Sequence, residues 1–460
     1  MPYSRPQDST ATQREPFHRW FGEHAGATAY RVKEVPLDQL DGWLTDPATG
    51  NLVHHTGRFY RVEGLTVTVR DDDAPGHTAD GLPAERSWAQ PIIVQPEIGI
   101  LGILVKRFDG VPHLLMQAKM EPGNINTLQL SPTVQATRSN YTRVHRGKAV
   151  PYLEYFTEPG RGLPLADALQ SEQGSWFLGK RNRNVVVETQ EDVPVREGFR
   201  WFSPEEMRSL LRLDNVVNMD SRTVLAACFP APADGPEAGE DSFRGALARS
   251  LAEPDRTTAL LSRLTRIKSA RSMTRRRIPL AEVPDWTRER DRIDRLDGRY
   301  FSVLGVQVEA GDREVPHWSQ PLLKPAGRGV IAVVTRRVDG VLWLLMRACT
   351  QAGTFDVAEV GPTVQCLPRN HTDASPPFLD LVLSAPPERI RFDTVHSEEG
   401  GRFYHAENRY LVVEAGDDVP LEAPDGYLWA TARDLTELVR HSHYLNVEAR
   451  CLLTCLLSLR

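Results

Sequence analysis

The chain has 460 residues, too many for one compact domain, so two or more are expected. Apolar residues make up 40% and charged residues 25%, the balance of a soluble globular protein, and a net charge of −6 excludes a general attraction to nucleic acid or to an anionic membrane. Apolar runs such as IGILGILV and CLLTCLLSL fall far short of the roughly 20 residues that span a bilayer, and MPYSRPQDSTATQREPFHRW lacks a signal-peptide core. The cysteines, Cys228, Cys349, Cys366, Cys451 and Cys455, form no CxxC pair and have no histidines at zinc spacing; so sparse and odd a set fits a reducing cytoplasm.

Residues 1–29 read as a flexible lead-in. Pro36 and Trp43 open a helix and loop. GRFYRVEGLTVTV, 57–69, is rich in aromatic and β-branched residues and predicts a strand, and DDDAPGHTADG, 71–81, is turn material. IGILGILV and VPHLLMQAK then flank Asp109-Gly110, a dipeptide suited to a tight hairpin.

The next stretch, QAKMEPGNINTLQLSPTVQATRSNYTRVHRG at 117–147, is long and mostly polar. Ile125, Leu128, Leu130 and Val134 are interleaved in it, which predicts a packed run rather than a solvated loop. Lys119, Glu121, Asn124, Asn126, Gln129, Thr133, Gln135, Arg138, Asn140, Tyr141, Arg143 and His145 supply the donors, acceptors and cations that a sugar and a diphosphate need. Further on, Ser203-Pro204-Glu205-Glu206 is a helix start, with Ser as N-cap, Pro first and Glu third. Its apolar face, Met207, Leu210 and Leu211, predicts a helix laid on a sheet.

Much of this recurs. A shift of 230 positions carries Trp88, Gln90, Pro91, Asp109-Gly110, Leu114-Leu115-Met116 and Pro132-Thr133-Val134-Gln135 onto identical residues beginning at Trp318. With small changes of offset, SEQG at 171 matches SEEG at 397, NRNVVVE at 182–188 matches NRYLVVE at 408–414, and Asn218 matches Asn446. So long a period is a duplicated domain, not a solenoid. The expected division is a first domain over 30–228, a linker with a solvated basic helix over 229–270, marked by the composition break PAPADGPEAGED, and a second domain over 271–460. Strands early and helices late in each half predict an α+β fold: two tandem copies of a mixed, mostly antiparallel sheet flanked by helices.

Dinucleotide, P-loop, nucleophile-elbow and HExxH motifs are absent, and the carboxylates are not clustered as a divalent metal needs, so acid–base chemistry without cofactor or metal is expected. Taken together, EPGNINTLQLSPTVQATRSNYTRVHRG, the PTVQC of the second half, and the paired SEQGSWFLGKRNRN and SEEGGRFYHAENRY segments resemble the NDP-hexose 2,3-dehydratases, enzymes of deoxysugar biosynthesis in antibiotic-producing bacteria. The resemblance implies two Nudix-like domains per subunit, a homodimer, and dTDP-4-keto-6-deoxy-glucose as substrate, with a 3-ketoreductase acting on the unstable product. The acidic helix of Nudix hydrolases is missing, which argues against metal-dependent diphosphate hydrolysis. A catalytically silent nucleotide-sugar-binding module is the other rival.

On this resemblance, the acid and base are sought among Lys119, Glu121, Tyr141, His145 and Glu172. Arg138, Arg143, Lys180, Arg181 and Arg183 are candidates for the diphosphate, Asn124, Asn126, Gln129, Thr133 and Gln135 could fix sugar hydroxyls, and Asn140 is a further substrate-binding candidate. Trp88 and Trp176 could stack on thymine, with a core position the competing reading. The second half replaces Lys119 with Cys349, Glu121 with Gln351, Asn124 with Thr354, Asn126 with Asp356 and Gln129 with Glu359. The first half is therefore expected to work. A second pocket with Thr363, Gln365, Arg402, Asn408 and Arg409 could bind a nucleotide-sugar or serve the fold.

Overall fold

The structure, a computed structural model, describes residues 11–27, 29–72, 84–138, 149–229, 239, 242–311, 316–371 and 375–460. The first half contains α1 (Ala11–Ala27), β1 (Tyr30–Val35), β2 (Trp43–Thr45), β3 (Leu52–His54), β4 (Arg61–Asp71), β5 (Ala84–Val94), β6 (Gly99–Phe108), β7 (Val111–Met120), β8 (Leu128–Ser131) and β9 (Val134–Ala136). It continues with α2 (Glu154–Thr157), β10 (Leu163–Ser171), β11 (Arg181–Glu188), β12 (Phe199–Phe202), α3 (Pro204–Leu210) and α4 (Met219–Leu225). Two helices follow, α5 (Phe243–Ala252) and α6 (Thr257–Ser269). The second half repeats the order: β13 (Arg271–Ile278), β14 (Trp286–Arg288), β15 (Arg292–Arg295), β16 (Phe301–Ala310), β17 (His317–Pro325), β18 (Gly329–Val338), β19 (Val341–Cys349), β20 (Glu359–Gly361) and β21 (Val364–Cys366). It closes with α7 (Leu379–Leu383), β22 (Ile390–Ser397), β23 (Glu407–Glu414), β24 (Tyr427–Thr431), α8 (Ala432–Leu438) and α9 (Val447–Leu457).

Each half builds a large sheet and a small one. The first large sheet runs β10-β11-β6-β7-β12 with β8 on β7 and β9 on β6; the second runs β22-β23-β18-β19-β20 with β21 on β18 and β24 on β19. Among the described strands, β11 with β6 and β23 with β18 are the pairs that run parallel. This is the mixed, mostly antiparallel α+β architecture expected, made twice. The hairpins form where expected: Asp109 and Gly110, like Asp339 and Gly340, both take positive φ, so two-residue turns join β6 to β7 and β18 to β19. Ser203 and Glu206 close a capping box on α3, and Asn218 and Asn446 cap α4 and α9.

The small sheets do not follow the division at 30–228 and 271–460. β1 pairs with β16 of the second half, and β13 pairs with β4 of the first. The halves thus exchange their opening strands. Nor is the lead-in loose over its described part. Phe17, Trp20 and Phe21 lie three and four residues apart on α1, and Phe17 is buried with its ring centroid 6.0 Å from that of Phe202. The helices expected to be a solvated linker are also docked. Ala246 and Leu247 of α5 and Leu260 and Leu264 of α6 are buried, and the Ser250 hydroxyl donates to the Leu342 carbonyl. Of their basic residues, Arg263 and Arg266 are exposed, whereas Arg249 donates to the Gly340 carbonyl at 2.7 Å and Lys268 pairs with Asp356 at 2.6 Å. In place of a helix after Pro36 there is a single 3-10 turn, Leu37–Gln39.

The two halves share one core. Leu101, Val224 and Leu225 pack in the same cluster as Val333, Cys451 and Leu452. At its centre α4 lies against α9, and the Thr454 hydroxyl donates to the Arg222 carbonyl at 2.6 Å. No described helix is long and apolar enough to cross a membrane.

Candidate active site

The expected packing of the 117–147 run holds for Leu128, Leu130 and Val134, which are buried, whereas Ile125 is exposed. The run leaves the large sheet at the end of β7, turns through 121–127 and returns as β8 and β9. Its turn is clamped to the other half. The Gly123 N–H donates to the Gly400 carbonyl at 2.7 Å, and the His405 N–H donates to the Gly123 carbonyl at 2.7 Å. The duplicate does the same in reverse: Gly353 N–H to Gly174 carbonyl at 2.6 Å, Gly179 N–H to Gly353 carbonyl at 2.7 Å. A side chain at Gly123 would overlap the Phe403 carbonyl, and one at Gly353 the Phe177 carbonyl, so both positions require glycine.

These crossed clamps bring the Glu399-Gly400 end of the second half's SEEG turn to the first-half site and the Gln173-Gly174 end of the first half's SEQG turn to the other, while Glu172 and Glu398 stay with their own halves. In the first-half site, Lys119 and Glu121 form an ion pair at 3.3 Å. Gln135 donates to Glu121 Oε1 at 2.7 Å, and Asn218, the cap of α4, donates to Gln135 Oε1 at 3.2 Å. Beside them Glu172 accepts from the Asn182 amide at 2.7 Å, and Lys180 Nζ donates to the Glu97 carbonyl. Burial raises the Glu172 carboxyl, against the pull of Arg450 and Lys180, and burial lowers the Lys180 ammonium.

Three groups here were not singled out from sequence, or were assigned elsewhere. Asp220, on the first turn of α4, is fully enclosed and held well above the carboxylate range by burial and by Glu172, Glu399 and Glu121. Glu399 comes from the second half; burial, with Glu121 and Glu172, raises it to about 7 against the opposing charge of Arg402. Arg402, expected in the second pocket, instead lies over the Tyr60 ring at 4.2 Å and donates to Gln95 Oε1 at 3.1 Å. The repeat register, which pairs Gln173 with Glu399 and Trp176 with Arg402, was the signal available for two of them.

Trp88 and Trp176 are placed by the same exchange in the other cavity. That cavity, about 600 Å³, is lined by both tryptophans together with Gln351, Gln365, Asn408 and Glu398. There Gln365 accepts from the Asn446 amide at 2.8 Å and Asn408 donates to Glu398 at 2.7 Å. Several expected ligand contacts are structural bonds instead. The Thr133 hydroxyl bonds the Leu115 carbonyl, and the Thr363 hydroxyl the Leu345 carbonyl, each bracing two strands. Gln129 donates to Asn126 at 2.9 Å and accepts from Ser397 of the other half at 2.8 Å, and Asn126 donates to the Asn215 carbonyl at 2.7 Å. Asn124 donates to the Thr127 carbonyl at 3.2 Å. Arg183 grips Asp167 through two nitrogens, and Arg409 grips Asp393 likewise, both on the outer edges of their sheets. Arg181 stacks on Phe355 at 5.0 Å. Arg138 is exposed just after β9, and Asn140, Tyr141, Arg143 and His145 lie outside the described residues. Among the described residues, no three histidine, cysteine or carboxylate side chains are arranged to hold a metal ion.

The family model described as NDP-hexose 2,3-dehydratase matches residues 14–228 and again 257–456, starting within α1 in one copy and with α6 in the other. The chain is 54% identical over 448 residues to the dTDP-4-dehydro-6-deoxy-alpha-D-glucopyranose 2,3-dehydratase of Streptomyces violaceoruber, covering 96% of this chain and 97% of that protein. It is 48% identical over 454 residues to the enzyme of that name from Saccharopolyspora spinosa, covering 96% and 91%. With the one from Amycolatopsis orientalis it shares 46% over 453 residues, covering 98% and 91%. A doubled match over nearly the whole chain, on a fold that is itself doubled, makes this protein a member of the NDP-hexose 2,3-dehydratase family.

Proposed function

We propose that this chain eliminates water across C2 and C3 of dTDP-4-keto-6-deoxy-glucose, and that the first-half site performs the reaction. The observation that carries the choice of site is an asymmetry between two equivalent pockets. Lys119, Glu121 and Lys180 crowd one, while Cys349, Gln351 and Ala406 hold the same positions in the other. The names of the relatives supply the substrate.

The 4-ketone acidifies the C3 proton, and the C2 hydroxyl is β to that ketone. Glu172, fixed by Asn182 and facing Lys180, takes the C3 proton. Lys119, ion-paired with Glu121 in the same site, is assigned to meet the negative charge developing on O4. Loss of the C2 hydroxyl leaves an enol that becomes a 3-ketone, giving a 2,6-dideoxy-3,4-diketo nucleotide-sugar without redox change. Arg138 and Arg143, which follow β9, are assigned to the diphosphate, as arginines suit it. In this reading two Nudix-like chains form a cytoplasmic homodimer, residues 30–228 carry the work and 271–460 the duplicate, and a 3-ketoreductase takes the product.

The test is incubation with dTDP-4-keto-6-deoxy-glucose in EDTA, followed by NMR and mass spectrometry, with and without a 3-ketoreductase and NADPH. Loss of water with a trapped 2-deoxy sugar is expected, and untrapped product should shed dTDP because its nucleotide is β to the new ketone. Unchanged substrate under conditions where binding is measurable would leave a binding module instead.

A further inference from the structure

We infer that Glu399, brought into the first-half site by the second half, is a catalytic acid there and shares one proton with Glu172. This rests on the reading of the site just given. In the second cavity the third residue of one SEQG-type turn bonds the second residue of the other: Gln173 Nε2 donates to Glu398 Oε2 at 2.8 Å. The clamps at Gly123 and Gly353 are the same on both sides, so the twofold relation brings Glu399 to Glu172 as it brings Gln173 to Glu398. The difference is one of chemistry. An amide and a carboxylate can meet as donor and acceptor, whereas two neighbouring carboxyls away from water favour one proton over two charges.

The partners decide which carboxyl carries it. Glu172 accepts from Asn182 and lies near Lys180 and Arg450, all of which favour its anion. Glu399 Oε1 accepts from the Gly401 N–H at 3.0 Å, while its Oε2 is buried with no hydrogen-bond partner among the described residues. Glu121 and Glu172 oppose its ionisation, Arg402 and Lys119 favour it, and the balance with burial puts it at about 7. Burial raises both carboxyls, but only Glu172 has a side-chain amide donor as well as two cations against it, so the proton is assigned to Glu399 and the charge to Glu172.

The steps balance on this pair. Glu172 takes the proton from C3, and the C3–H electrons form the C2=C3 bond as the C2–O bond breaks. Glu399 gives its proton to the departing hydroxide, which leaves as water. The pair still holds one proton, now on Glu172. Delivery of that proton to C2, with loss of the enol proton at O3 to Glu399, yields the 3-ketone and restores the starting state.

The test is Glu399→Gln, which reproduces the amide–carboxylate pair of the second cavity and so should fold, as its melting temperature will show. Turnover of dTDP-4-keto-6-deoxy-glucose, trapped by ketoreductase, is expected to fall at least about 100-fold with KM held within about threefold. The parent's kcat should fall on an alkaline limb expected near pH 7, where Glu399 loses its proton, and that limb should be absent from the variant's residual activity. The same nucleotide-sugar bearing fluorine at C2 supplies the discriminating arm. Fluoride leaves without a proton, so the variant should release it at close to the parent rate. A variant as slow on the fluorosugar as on the natural one, or one with parent rate and profile, would overturn the assignment. If the parent itself removes no water, the functional reading fails, and this inference with it.

Discussion

Glu359 sits on β20 with 1% of its surface exposed and accepts a hydrogen bond from the Ser171 hydroxyl at 2.8 Å, across the boundary between the halves. Burial raises its pKa to about 7, against the pull of Ser171 and Arg450. A carboxyl raised in the folded state binds its proton more tightly there than in the unfolded chain. Its contribution is whole below the ordinary value near 4.5 and is lost as pH climbs through about 7. The loss is on the order of 3 kcal/mol at 1.36 kcal/mol per pKa unit. Glu359→Gln keeps an acceptor for Ser171 and cannot ionise. Its melting temperature should match the parent at pH 5 and exceed it increasingly toward pH 8; an offset that does not change with pH would refute this. Sequence inspection saw Glu359 only as the replacement for Gln129. Residue identity gives the chemistry of a group, but its partner Ser171 lies 188 positions away, and burial against that partner creates the shift. The same limit put Trp88, Trp176 and Arg402 in the wrong pockets: the repeat fixed which residues correspond, not which half's turn crosses over.

The crossed turns also set what each element tolerates. Gly123 and Gly353 match in the repeat, and that much is visible in the chain, but a matched glycine equally suits an ordinary turn. What makes it indispensable is a carbonyl of the other half where a Cβ would be. Gly123→Ala should break both clamp bonds and cost on the order of 3–5 kcal/mol. Gly22, exposed on α1 with nothing within 4 Å of its would-be Cβ, is the control; Gly22→Ala should hold or gain up to about 1 kcal/mol, as alanine favours helix. Thermal melts of the two variants read both effects, and a Gly123→Ala melt equal to the parent's would remove the clamp from the account. Elements with local signals were legible: the Asp-Gly hairpins, the Ser203 capping box, the Asn218 and Asn446 caps. The exchange of β1 and β13 was not. Each alternates as any half-buried strand does, and nothing local says which sheet edge it joins.

At the scale of the molecule, a duplication ordinarily yields two domains that could fold apart, joined by a linker. The duplicated α+β architecture was readable from period and patterning alone. Independence of the halves does not follow from it, because three features tie them. Each small sheet includes a strand of the other half. One hydrophobic cluster runs through both, with α4 and α9 back to back. And two buried arginines bridge them: Arg222 donates to the Ser397 carbonyl at 2.5 Å and Arg450 to the Ser171 carbonyl at 2.5 Å, holding the two glutamate-bearing turns. Unfolding either half would expose the core of the other and leave a charged group without its partner, a cost no linker absorbs. Calorimetry should therefore give one cooperative transition for the whole chain, with van't Hoff and calorimetric enthalpies in agreement. Residues 1–229 or 242–460 expressed alone should be insoluble or unfolded, since each lacks a strand of its own sheet and exposes an unpaired edge. Co-expressed, the two pieces should assemble and recover dehydration, because the site takes Lys119, Glu121 and Glu172 from one and Glu399 from the other. Two separated transitions, or an isolated first piece that folds and turns over substrate, would show that the halves are independent domains and that the second adds no group to the reaction.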